Sequence, residues 1–153
     1  MSPRQAEARE RLVAAGLRAT APRLAVLDAL AAEPAHLTVD EVRTAVLDRV
    51  DSVSVQAVYD VLNALTDAGL AHRIETPGHP ARYEARVGDN HHHFVCRTCG
   101  LTLDIDCATG AAPCLNPSDL PERFTLDQAE VTYWGLCADC SSSPAIPSRG
   151  ENA

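Results

Sequence analysis

Up to Gly69 the apolar positions recur at the three- and four-residue spacing of helices with one buried face. A first helix is predicted from Pro3 to Ala15. Thr20 supplies a cap position with Pro22 in the first turn, ahead of Leu24, Val26, Leu27 and Leu30, and Pro34 is expected to end that stretch. Thr38-Val39-Asp40-Glu41 is a capping box, in which a hydroxyl and a carboxylate each satisfy an N–H left over at the helix start. Val42, Ala45 and Val46 follow at helical spacing. Ser54 opens the next helix, predicted to reach Ala68, with Val58, Val61, Leu62 and Leu65 as its apolar stripe and Gly69 as its terminator.

Beyond Gly69 the period shortens. Ala71–Glu75 and Ala81–Ala85 flank the turn-rich Thr76-Pro77-Gly78-His79-Pro80 and read as a hairpin. Helices followed by a hairpin predict a winged helix-turn-helix over residues 1–86, with the helix from Ser54 entering a major groove and the hairpin lying along the backbone. Val87-Gly88-Asp89-Asn90 reads as a hinge. In residues 91–140, Phe94–Cys96, Leu101–Asp106 and Glu130–Leu136 read as strands, and Pro113, Pro117 and Pro121 leave room for little helix between them. This second unit, roughly 50 residues, is too small for a robust core of its own, so a metal staple or dimerisation should supplement it. Residues 141–153 are rich in Ser and Pro and read as a disordered tail. The class is α+β: an N-terminal winged helix-turn-helix domain followed by a small α/β dimerisation domain.

Composition narrows the setting. Apolar residues make up 46% of 153, enough for a core, and all 13 positive side chains are Arg. No run is long enough for a membrane span and the N-terminus is charged throughout, so a cytoplasmic protein is expected. The net charge of −8 is unevenly spread: residues 1–23 carry five Arg against two Glu, residues 83–153 ten acids against four Arg. A basic start on an acidic body predicts weak non-specific binding to nucleic acid, with affinity resting on dimer geometry and a few well-placed Arg.

Six cysteines in a reducing compartment argue against a disulfide framework. Their spacing points to metal. Cys96-x-x-Cys99 and Cys137-x-x-Cys140, with 37 residues between them, can each aim two thiolates at one point, and four thiolates make the closed tetrahedral site that zinc favours. The other reading is two unrelated buried or redox-active pairs. Asp89-Asn90-His91-His92-His93 is a second candidate: in a strand, His91 and His93 project together and His92 oppositely. Such imidazoles suit Fe(II), Mn(II), Zn(II) or Ni(II), with Glu84 and Asp104 near enough in sequence to add carboxylates. A solvated polar linker is the alternative for that run.

Taken in order, Arg18-x-Thr20-x-x-Arg23, His36, Ser54-x-x-x-Val58-Tyr59, Ala68-Gly69-Leu70, Arg82-Tyr83-Glu84, His91-x-His93-x-x-Cys96-x-x-Cys99-Gly100 and Cys137-x-x-Cys140 resemble the ferric uptake regulator (Fur) superfamily. The likeness runs from about residue 10 to Cys140. Gln56–Leu62, Gly88–His93, Cys107 with Cys114, and Tyr133–Cys137 are most similar to its actinobacterial FurA/CatR branch, associated with control of catalase-peroxidase genes. The resemblance implies a homodimeric, metal-dependent repressor of operator DNA, with no catalytic residues. It implies structural zinc on Cys96, Cys99, Cys137 and Cys140, and a regulatory Fe(II) or Mn(II) on His36, Glu84, His91, His93 and Asp104. Asp at position 104 matches the peroxide sensors of the superfamily, whereas many iron sensors have Glu; the carboxylate at 84, Glu in place of Asp, departs from that pattern. The His of a third metal site found in some members has no counterpart in Gln128-Ala129-Glu130.

Arg18 and Arg23 are candidates for phosphate or minor-groove contact, and Ser54, Gln56 and Tyr59 stand at the start of the presumed reading helix, where Tyr59 could equally belong to the core. Asp60 should face away from DNA, and His72 and His79 read as ordinary surface residues. Cys107 and Cys114 read as buried thiols, with a thiol switch as the alternative. Against the peroxide-responsive repressor stand a metal-responsive repressor without peroxide sensing, a zinc-stapled interaction module that the acidic charge would suit, and a metalloenzyme using His91, His93 and Asp104. The enzyme lacks a general acid or base in a recognisable substrate loop.

Overall fold

The computed structural model describes residues 1–32, 36–89, 91–107, 117–126 and 129–142. Expectations that fall on Pro34, Asn90, Pro113, Cys114, Gln128 and residues 143–153 lie outside the described residues. Contacts within the chain divide it into two units, Met1–Asp89 and Asn90–Ala153.

In the first unit, α1 (Pro3–Ala14) begins at a capping box: Gln5 N–H donates to Ser2 Oγ, and the Gln5 side chain accepts from Ser2 N–H. α2 (Ala21–Leu30) starts after Thr20 as expected, but the Thr20 hydroxyl makes no capping bond. Such a hydroxyl serves the second or third N–H of the helix, and at the second position Pro22 has none. α3 (Val39–Leu47) follows the predicted capping box, with Thr38 N–H donating to Glu41 Oε2 at 2.8 Å and Glu41 N–H to Thr38 Oγ1 at 3.2 Å. α4 (Val55–Asp67) is capped by Ser54, whose Oγ accepts from Ala57 N–H at 3.0 Å, and the chain leaves it through Gly69 in the left-handed region (φ +70). Val58, Leu62 and Leu65 are fully buried along α4 against Leu12, Val26, Leu27, Val42 and Val46; Val61 is only partly buried.

The hairpin is β2 (His72–Ile74) and β3 (Arg82–Glu84). A two-residue strand the sequence reading did not foresee, β1 (Leu37–Thr38), pairs with the other side of β3, so the antiparallel order is β1-β3-β2. Helices α2 to α4 with this sheet make a winged helix-turn-helix.

In the second unit the sheet order is β5-β4-β6, from β4 (His91–Cys96), β5 (Thr102–Asp106) and β6 (Thr132–Gly135). β4 pairs antiparallel with β5 and parallel with β6. It starts three residues before the predicted Phe94, because the histidine run pairs its backbone with Asp106 to Asp104. Gly135 lets β6 approach β4 closely, since a Cβ there would stand 3.0 Å from a Phe94 ring carbon. A short helix, α5 (Ala138–Ser141), follows Cys137, so the predicted tail begins with a helical residue at Ser141.

Candidate metal centres

The four thiols of the paired motifs come together. Cys96 ends β4 and Cys99 lies in the tight turn after it, where Gly100 N–H donates to the Cys96 carbonyl at 2.9 Å. Cys137 occupies the cap position of α5 and Cys140 lies one turn on, its N–H 3.5 Å from Cys137 Sγ. All four sulfurs lie within 4.8 Å of one another, and Cys99 Sγ is 3.7 Å from Cys137 Sγ. Sulfurs at about 2.3 Å from a tetrahedral zinc stand ~3.8 Å apart, so the cluster has the dimensions of the ion.

Its electrostatics agree. Burial opposes ionisation of Cys96, but the N–H groups of Cys137, Cys99 and Thr98 outweigh it and bring the thiol down from 9 to about 6. Hydrogen bonding to Cys137 and then burial push Cys140 up to about 12. Cys99 is also raised: the N–H of Leu101 and the Cys140 thiol favour its thiolate, but desolvation with the Cys96 and Cys137 thiols prevails. One thiolate is favoured and its neighbours then resist ionising, a conflict that a divalent cation removes.

The nitrogen and oxygen candidates form a set within each unit. In the first, β1 sets His36 beside Glu84: Leu37 pairs with Tyr83 and Thr38 with Arg82, so one step back His36 falls opposite Glu84. His36 Nε2 lies 3.1 Å from Glu84 Oε2, both side chains being buried at 8% and 2% exposure. Arg82 holds the His36 backbone, donating from Nη1 to its carbonyl at 2.7 Å and to Glu41 Oε2 at 3.1 Å. The sequence reading of His72 as a plain surface residue is corrected here, because its Nδ1 lies 3.1 Å from Glu84 Oε1. A signal was available: counted outward from Gly78, the middle of the hairpin loop, His72 and Glu84 are equidistant.

In the second unit His91 and His93 lie on one face of β4, and His93 pairs across to Asp104 on β5. Their Nε2 atoms lie 3.5 Å and 3.4 Å from the same oxygen of Asp104, with the rings edge to face at 4.9 Å. Donors held at about 2.1 Å from a metal stand ~3.0–3.4 Å apart, so these three atoms also suit an ion.

Of the DNA candidates, Arg18 is exposed and its carbonyl accepts from the Arg23 guanidinium at 3.0 Å. Ser54 serves as the α4 cap. Tyr59 is 43% exposed and therefore not core. Asp60 does not turn away from its neighbours: Gln56 Nε2 donates to Asp60 Oδ1 at 2.9 Å, which places both on the exposed face of α4. Residues i and i+4 share a helical face, so a base contact by Gln56 would bring Asp60 towards DNA as well. Tyr83 is buried beside Arg73, and burial raises its phenol above the usual 10. Cys107 is half-buried.

The family profile described as Ferric uptake regulator family matches residues 14–109, more than half of the chain. The chain belongs to the ferric uptake regulator family. The Transcriptional regulator FurA of Mycobacterium tuberculosis is 58% identical over 134 residues, covering 88% of this chain and 90% of that protein, which supports the actinobacterial FurA branch. Among solved structures, the Vibrio cholerae ferric uptake regulator aligns at a TM-score of 0.64 and 25% identity, covering 84% of this chain and 98% of the other. The Helicobacter pylori regulator Fur aligns at 0.68 over 93% and 94% of the two chains, and at 20% identity it supports the fold alone. This Fur-family chain is a metal-responsive transcriptional regulator and not an enzyme. Its four-cysteine cluster is consistent with a zinc site. No helix among the described residues is long and apolar enough to cross a membrane.

Proposed function

We propose that the chain is a homodimeric repressor that binds operator DNA when loaded with its regulatory metal and releases it on reaction with peroxide, controlling genes of the catalase-peroxidase type. The observation that carries the reading is the convergence of His91 and His93 on one oxygen of Asp104. Structural zinc is assigned to Cys96, Cys99, Cys137 and Cys140. The regulatory ion is assigned to His36, Glu84, His91, His93 and Asp104. Iron(II) bound there would activate peroxide, which is the two-electron oxidant: one of its oxygens goes to an imidazole and the other leaves as water. His36 and His91 are the side chains that gain an oxygen atom, and an oxidised imidazole is a weaker ligand. Manganese(II) fits the same donors without that reactivity.

Dimer formation is supported by the outer face of the second sheet. Leu103 and Tyr133 both pair with Phe94, and with Ile105 they are 46%, 50% and 36% exposed. An apolar face of this kind needs a partner. For DNA, the candidates are Arg18 and Arg23 for the backbone and Ser54, Gln56 and Tyr59 on α4 for the bases.

The test compares Fe(II) and Mn(II) forms on the promoter of the protein's own gene, with brief peroxide treatment and peptide mass spectrometry. Release of DNA with one oxygen added to His36 or His91, in the iron form alone, is the expected result. Release with both histidines intact and Cys107 and Cys114 oxidised would replace the metal mechanism with a thiol switch.

A further inference from the structure

An imidazole nitrogen stands beside each oxygen of Glu84. His72 and Glu84 are direct cross-strand partners in the hairpin, and such partners carry their side chains on the same face of the sheet. His72 Nδ1 lies 3.1 Å from Oε1, while His36 Nε2 lies 3.1 Å from Oε2. His72 Nδ1 is therefore within hydrogen-bond distance of Oε1. His72 stands outside the five proposed ligands, and its side chain is 32% exposed while Glu84 is 2% exposed.

We infer that His72 is a positioning residue for the regulatory metal, holding Oε1 so that Glu84 binds the ion through Oε2 alone. The inference rests on the ligand set proposed above. Five residues giving one atom each would make a five-coordinate ion with one position left open for peroxide. A second oxygen from Glu84 would fill that position. Hydrogen bonds to a ligating carboxylate also fix its orientation and strengthen binding. His72 therefore sets both the affinity of the site and whether it stays open.

Cobalt(II) added to the full-length, zinc-loaded protein is the probe, because its visible absorption weakens when a five-coordinate shell becomes six-coordinate. His72→Ala is expected to lower the absorption per bound ion and to weaken affinity about tenfold. His72→Gln, whose amide N–H can reach the same oxygen, should restore both, with one zinc per chain retained throughout. Loss of affinity with an unchanged spectrum and no rescue by Gln would mean a merely structural role and overturn the inference. So would wild-type binding by His72→Ala alongside lost binding by Glu84→Ala. If Glu84→Ala itself binds Co(II) normally, the ligand set fails and the inference fails with it.

Discussion

The two units solve the problem of stability in different ways. Leu12, Val26, Val42, Val46, Val58, Leu62 and Leu65 are fully buried in the first, and burying one such side chain contributes about 1.5–3 kcal/mol. Among the described residues of the second, His92, His93, Val95, Cys96 and Thr102 are buried as whole residues, while Leu103, Ile105, Tyr133, Trp134 and Leu136 remain exposed. Ridged helices can enclose a core within one small unit. A three-stranded sheet cannot cover both of its faces, and two of the buried residues here are histidines, which add little to an apolar core. The second unit therefore depends on what it binds, and the first on what it packs.

The largest effect that could break this contrast is at the zinc centre. Structural zinc contributes on the order of 10–16 kcal/mol of apparent binding free energy, all of it available to folding. Cys96→Ser is expected to lose the zinc and weaken the dimer, while the helices of the first unit remain. Metal analysis, size-exclusion chromatography and far-ultraviolet circular dichroism read the three parts. A Cys96→Ser dimer that keeps a full zinc complement would show that the second unit stands without its staple.

The reciprocal substitution lies in α4. Leu62→Ala opens a cavity at a fully buried position and is expected to cost about 2–5 kcal/mol. Denaturation followed by circular dichroism should show the first unit destabilised with one zinc per chain unchanged. Zinc lost together with the helices would mean that the two units do not hold their folds separately.

How much of this was legible depended on whether the information was local. Helix starts were, because Thr38 with Glu41 and the hydroxyl of Ser54 act on their own first turns. The zinc motif was legible because two residues between cysteines fix a turn wherever it occurs. β1 was not: two residues have no period, and Leu37 and Thr38 are strand only because β3 has an open edge. The parallel pairing of β4 with β6 joins residues some 40 positions apart, which no local pattern records. His36 with Glu84 was reached only through the family resemblance, and His72 was missed because each residue of the hairpin was weighed singly and not against its partner.

The smallest expected effects lie on the exposed face of the first unit and sharpen the comparison by leaving the second untouched. Arg23 stands in the first turn of α2 with its guanidinium on the Arg18 carbonyl, so Arg23→Ala removes one positive charge and a local tether. A phosphate contact carries no sequence information, and its loss should weaken binding to all DNA alike and reduce the slope of log affinity against log salt by about 1. Gln56 is exposed near the start of α4, where its amide donates to Asp60. A base contact by that amide is worth roughly 1–3 kcal/mol of discrimination, so Gln56→Ala should change the ranking among related operators more than the salt slope. Asp60 bears on the result: Gln56→Ala also releases a carboxylate that the amide had engaged, and Gln56→Ala with Asp60→Asn separates lost recognition from added repulsion. Competition binding on a set of operator variants at several salt concentrations measures both quantities, with zinc content and dimer mass as controls. Equal losses on every operator for Arg23→Ala and Gln56→Ala would remove α4 from the role of reading helix.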